Sequence, residues 1–173
     1  MKNGGPAKYI VAWRHIHDLF AAVGALNVRW VWSPNVYFAS SSTGDANRWY
    51  PGDAYVDWVA LDGYNKAQYG SKTFRARFSY SVHNLTGMNK PLMVAEMSSS
   101  EALSTQAGLS KAAWYTDAFM SAIPSLHRIK AVVIFNEDKT ASEGCCNWTI
   151  ESSGASQSAF AHAIAGYSGA FTP

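Results

Sequence analysis

PLMVAEMSSSE (residues 91–101) decides how this chain is read. Apolar residues run without a break from Leu92 to Ala95, Glu96 follows, and a serine run begins two residues later. A continuous apolar run of this length is what a parallel strand buried on both faces requires. Glu96 then stands at the carboxyl end of that strand. Three other runs have the same character: VRWVWS (28–33), VDWVALD (56–62) and IKAVVIFN (129–136).

Helical periodicity lies between or beside most of these runs. Tyr9, Trp13, Ile16, Phe20 and Val23 recur at spacings of 4, 3, 4 and 3, which predicts one buried face of a helix over about 7–23. Pro6 suits its entry and Gly24 its exit. Phe74, Phe78, Val82 and Leu85 predict a helix over 72–86. Leu109, Ala113, Phe119 and Ile123 predict an inward stripe over 109–123, ended by Pro124, and a last helix is expected near 156–166. Strand–helix alternation with right-handed crossovers gives an α/β fold. The order reads as half of a (β/α)8 TIM barrel, four parallel strands with flanking helices, with residues 1–173 as a single half-barrel catalytic-type domain. The alternative is an open four-stranded sheet with helices on both faces. Nothing before Met1 supplies further strands, so half of a barrel site is expected.

Composition narrows the function classes. Hydrophobic residues make up 48% and charged residues 15%, which fits a globular chain. A formal charge of +2 with scattered Lys and Arg excludes a nucleic-acid partner as the expectation. No apolar run approaches the ~20 residues of a membrane span. MKNGGPAKY has no apolar core of a signal peptide, so the chain reads as cytosolic or as a piece of a secreted protein. Cys145 and Cys146 are adjacent and are expected to be two free thiols in a loop, because disulfides usually span Cα separations of ~4.4–6.8 Å. No ligand spacing suggests a metal, and no cofactor motif is present.

Glu96 is the sharpest chemical signal, since barrel enzymes place catalytic groups at the carboxyl ends of strands. Tyr64, ending the preceding strand in DGYN, is placed to hydrogen-bond that carboxylate and hold its orientation. Asp62 reads as structural, and so do His15 and His17. Aromatics make up 14%; Trp32, Tyr37, Trp49, Tyr50, Tyr64 and Trp148 fall near strand ends and loops, where flat rings suit the C–H faces of sugars. Trp13, Trp58 and Trp114 are assigned to packing.

The segments AWRHIHDLF, VRWVWSPN, WYPGDAYVDWVALDGYN, KPLMVAEMSS, and NWTIESS followed by Ala159-Phe160 occur in one order over nearly the whole chain. Together they resemble family 26 glycoside hydrolases, and the chain is similar to the C-terminal half of that catalytic barrel. The resemblance implies an extracellular enzyme acting on β-linked polysaccharides or oligosaccharides, of β-mannan or β-glucan type. It implies Glu96 as nucleophile, Tyr64 as the tyrosine that contacts it, and Trp32, Asn35, Asn136 and Trp148 as substrate-binding residues. Trp148 is expected to matter for sugar affinity and little for stability. Two departures stand out. The family's acid/base glutamate, in a His-Glu-Met-Asn type segment, has no counterpart, which implies reduced activity. Ile134 and Asn147 replace a tryptophan and an aspartate of the pattern. Glu137 is the expected substitute acid, with Asp138 and Glu101 behind it. The competing reading is a non-catalytic carbohydrate-binding or inert remnant. An esterase reading finds no nucleophile elbow. The two open sheet edges predict a homodimer in which each first strand pairs with the partner's last.

Overall fold

The structure, a computed structural model, describes residues 4–38, 45–67, 70–85, 87–101 and 109–166. Part of the connection 34–54 (residues 39–44) lies outside the described residues. The element order is α1 (Gly5–Ala22), β1 (Val31–Trp32), β2 (Trp58–Asn65), α2 (Phe74–Asn84), β3 (Leu92–Ser99), α3 (Lys111–Asp117), α4 (Ile123–Ser125), β4 (Ile129–Ile134), α5 (Thr140–Glu143) and α6 (Gly154–Gly166). A π-helical turn, Ala118–Ala122, joins α3 to α4. Short 3-10 turns at Ala46–Trp49, Asp53–Tyr55 and Ile150–Ser152 complete the described elements.

The four strands form one parallel sheet in the order β1-β2-β3-β4. Neighbours in sequence are neighbours in space, so right-handed crossovers deliver the connecting helices α2 and α3 to the same face. That is the construction of a barrel wall, and the open sheet with helices on both faces is set aside. Val59, Leu61, Leu92 and Val94 point to the helix layer and are fully buried with Phe74, Phe78, Val82 and Leu85 of the α2 segment. Alternate positions face the other way: Trp58 and Met93 are half-buried and Val133 is 48% exposed. The structure is therefore half of a (β/α)8 barrel with its inner face uncovered.

Local signals account for most boundaries. The Thr73 hydroxyl accepts from Ala76 N at the start of α2, and the Ser110 hydroxyl accepts from Ala113 N at the start of α3. Arg128 closes the other end of α2, donating to the carbonyls of Val82 and Leu85 at 2.9 and 2.6 Å. Three expectations need correction. The strand expected over 28–33 keeps only Val31–Trp32 in the ladder. The first helix buries none of its residues, and Ile16, Phe20 and Val23 are exposed. The α3 stripe is shifted, with Trp114, Tyr115, Ala118 and Phe119 buried and Ala113 exposed.

Gly63 shows how tightly the layers meet. A Cβ there would lie 2.5 Å from Phe78 Cζ and 3.0 Å from Val36 Cγ1. Overpacking of this kind costs about 1–3 kcal/mol. Gly63→Ala is therefore expected to lower unfolding free energy by that amount in urea titration. A variant as stable as the parent would show that the α2 layer yields freely.

Candidate active site

A one-residue bulge builds the site. Along β2 and β3 the partners run Leu61–Val94 and then Asp62–Glu96, so Ala95 is the extra residue. The β3–β4 register shifts over the same interval. Bulges re-aim side chains, and this one sets Glu96 beside Asp62. Asp62 and Tyr64 share a face of β2, two residues apart, and from there the Tyr64 hydroxyl donates to Glu96 Oε2 at 2.5 Å. Glu96 itself is exposed.

Tyr64, Lys66, Glu96, Phe135, Glu143 and Trp148 line a cleft of about 250 Å³ at the carboxyl end of the sheet. Tyr64 packs on Trp148 with centroids 4.9 Å apart and on Phe135 edge-on at 5.8 Å. Burial, then the hydrogen bond and charge of Glu96, then the charges of Asp62 and Glu143, push the Tyr64 phenol well above its ordinary value. It stays a donor to the carboxylate throughout the neutral range. Burial also pushes the Asp62 carboxyl up; the Ser33 hydroxyl, donating at 2.8 Å, opposes this, and the Glu96 charge adds to it.

The sequence-derived candidates divide. Glu96, Tyr64 and Trp148 come together. Trp32 and Asn35 do not join them: Trp32 is only 2% exposed, packs edge-on against Tyr50, and with Asn35 lines a separate cavity of about 350 Å³ beside Tyr9 and Trp49. Asn136 secures the following loop instead, accepting from Ile150 N at 2.6 Å. Glu137 is exposed and paired with Lys139 at 2.9 Å, outside the cleft lining. The second carboxylate of the cleft is Glu143, on the one-turn helix α5. Trp13 and Trp58 are half-buried and Trp114 is fully buried.

Cys145 and Cys146 are joined in a disulfide, which corrects the expectation of free thiols. Their Cα atoms are 3.7 Å apart, and Cys146 has φ 78, the one positive value for a non-glycine among the described residues. Typical disulfide spacing does not cover this left-handed backbone arrangement. The bridge lies between Glu143 and Trp148. Among the described residues, no group of three or more His, Cys, Asp or Glu is placed to hold a metal, and no helix is long and apolar enough to cross a membrane.

Parallel strands with helices on one face form part of a barrel wall, and the carboxylate–aromatic cleft lies at the strand ends, where barrel enzymes place their active sites. The chain belongs to glycosyl hydrolase family 26, whose sequence profile matches residues 2–123. It is 38% identical over 161 residues to Endoglucanase H of Acetivibrio thermocellus, covering 90% of this chain and 17% of that protein. It is 31% identical over 96 residues to mannan endo-1,4-beta-mannosidase A and B of Caldalkalibacillus mannanilyticus, covering 55% of this chain and 16% of that protein. A Cellulomonas fimi endo-beta-1,4-mannanase double mutant shares the fold at 20% identity, with a TM-score of 0.66 over 95% of this chain and 36% of that one. The chain thus spans well under half the length of these relatives.

Proposed function

We propose that the cleft around Glu96 binds a β-linked glucan or mannan chain and that Glu96 is the nucleophile of its hydrolysis. The observation that carries this is the 2.5 Å hydrogen bond from Tyr64 to Glu96 at a strand end, walled by Trp148 and Phe135. A nucleophilic carboxylate must be held in one orientation, and a phenol that stays protonated and donates to it does this. The curated relatives' printed names span endoglucanase and mannan endo-1,4-beta-mannosidase, so both polymers enter the test. The measurement is reducing-end release from β-1,4-mannan and β-glucan, with Glu96→Gln as control. Equal rates in parent and variant would remove Glu96 from the mechanism. Saturable oligosaccharide binding without turnover would select the binding-only alternative. A disulfide in the cleft loop fits an oxidising, extracellular setting.

The proposed assembly is a homodimer that covers the inner face. Val31 and Val133 are 37% and 48% exposed there, and β1 and β4 are open edges. Pairing the edges of two copies would extend the two-residue ladder of β1. Light scattering at micromolar concentration is expected to give twice the monomer mass. A stable monomer would exclude this arrangement.

A further inference from the structure

Lys111 begins α3, and none of its side chain reaches solvent. Lysine is almost never fully buried unless its charge is answered. Here all of its donors go to one loop. Nζ donates to Asn147 O at 3.1 Å, to Thr149 O at 2.6 Å and to Ser152 Oγ at 2.9 Å. Asn147 and Thr149 are the residues on either side of Trp148. The Trp148 carbonyl accepts from Ser98 Oγ at 2.8 Å, so three successive carbonyls are held. Ser152 and Ser153 pass the network on, donating to Glu101 Oε1 at 2.7 and 2.8 Å. A compact ammonium with three rotatable donors suits this convergent set, which a planar guanidinium fork does not.

We propose that Lys111 is a positioning residue of the cleft: its Nζ latches the 147–152 loop onto the end of β3 and thereby sets Trp148 beside Tyr64 and Glu96. The consequence for saccharide binding rests on the function proposed above; the latch itself does not.

The latch has a definite pH signature. Burial pushes Lys111 down to about 8, while the charges of Glu101, Glu151 and Asp138 pull it back up. These three come from the end of β3, the 3-10 turn and the segment after β4; His162 on α6 is exposed. When the loop lifts, the ammonium meets water and regains its ordinary affinity for a proton. Between about pH 8 and the ordinary lysine value near 10.4, the lifted state therefore holds more protons than the latched one. Lifting becomes harder as pH rises through that window, because the neutral amine escapes the cost of burying a charge and still keeps two N–H donors on the loop.

The test is hydrogen exchange read by mass spectrometry on the ligand-free chain, comparing the peptide over 147–152 with that over 74–84. Lys111→Met leaves the loop acceptors without their buried donor. Exchange over 147–152 is expected to rise about tenfold or more, with 74–84 unchanged. In the wild type, protection of 147–152 corrected for intrinsic exchange is expected to rise several-fold from pH 8 to 9.5, and this rise is absent in the variant. Unchanged exchange in the variant, or an equal rise in both peptides, would overturn the latch. If Lys111→Met does not fold, Ser152→Ala, which removes one acceptor of Nζ and one donor to Glu101, is read instead: unchanged exchange over 147–152 overturns the proposal. A wild type that binds no manno- or gluco-oligosaccharide would sink the proposed function and leave these exchange results standing.

Discussion

Replacing Glu96 by alanine is expected to cut hydrolysis of a nitrophenyl β-glycoside by at least about 10³-fold. The fold should be untouched, because the Glu96 side chain is exposed and its hydrogen bond runs to Tyr64 across the strand ends. A change in unfolding free energy within about 0.5 kcal/mol is expected. The aryl leaving group is chosen because it needs little protonation, and general acid catalysis is worth roughly 10²–10⁴-fold. The assay thus isolates the nucleophile from the acid. Azide sharpens it. In Glu96→Ala the small anion can occupy the space vacated by the carboxylate and attack the anomeric carbon. The C–N bond forms as the C–O bond to the nitrophenolate breaks, so the glycosyl azide has inverted configuration. Rescue by azide with that product marks Glu96 as nucleophile. A variant as active as the parent leaves family membership without a role for Glu96.

The large features of this fold were legible because they follow from periodicity. Apolar runs gave four parallel strands, and Phe74, Phe78, Val82 and Leu85 all proved fully or almost fully buried. The misses share a cause: each depends on one residue's backbone state or on contacts remote in sequence. The Ala95 bulge that sets Glu96 opposite Asp62 leaves no trace in the apolar pattern. A left-handed Cys146 is not announced by its residue type. Glu143 lines the cleft from the turn at α5, a position its sequence neighbourhood does not announce, while Glu137 pairs with Lys139. By position Lys111 is a first-turn residue of α3, with no local signal of burial. Its burial depends on a loop some 36 residues later. The Ser98–Ser100 run was a signal available in advance, since serines at a strand end in an otherwise apolar setting imply loops that need hydrogen-bond partners.

Trp148→Ala is expected to cost about 3 kcal/mol of stability, a large share of the ~5–15 kcal/mol of a typical domain. As a residue bordering the cleft, it is expected from the sequence to matter for sugar affinity and hardly to move the melting temperature. The structure reverses that expectation. Trp148 is 3% exposed, its ring packs on Tyr64 at 4.9 Å, and its backbone N–H donates to the Glu137 carbonyl at 3.0 Å. Truncation would leave a cavity beside the Tyr64 ring and release the phenol that orients Glu96. Saccharide affinity should fall as well, since an aromatic contact contributes roughly 0.5–1.5 kcal/mol beyond its buried area. Urea unfolding and calorimetric titration with a manno- or gluco-oligosaccharide separate the two effects. A stability loss below about 0.5 kcal/mol would mean the ring is free to leave its place. Unchanged affinity with the full stability loss would make Trp148 a wall of the core that the ligand never touches. Loss of both is the expected result, because the same ring closes the core on one side and faces the cleft on the other.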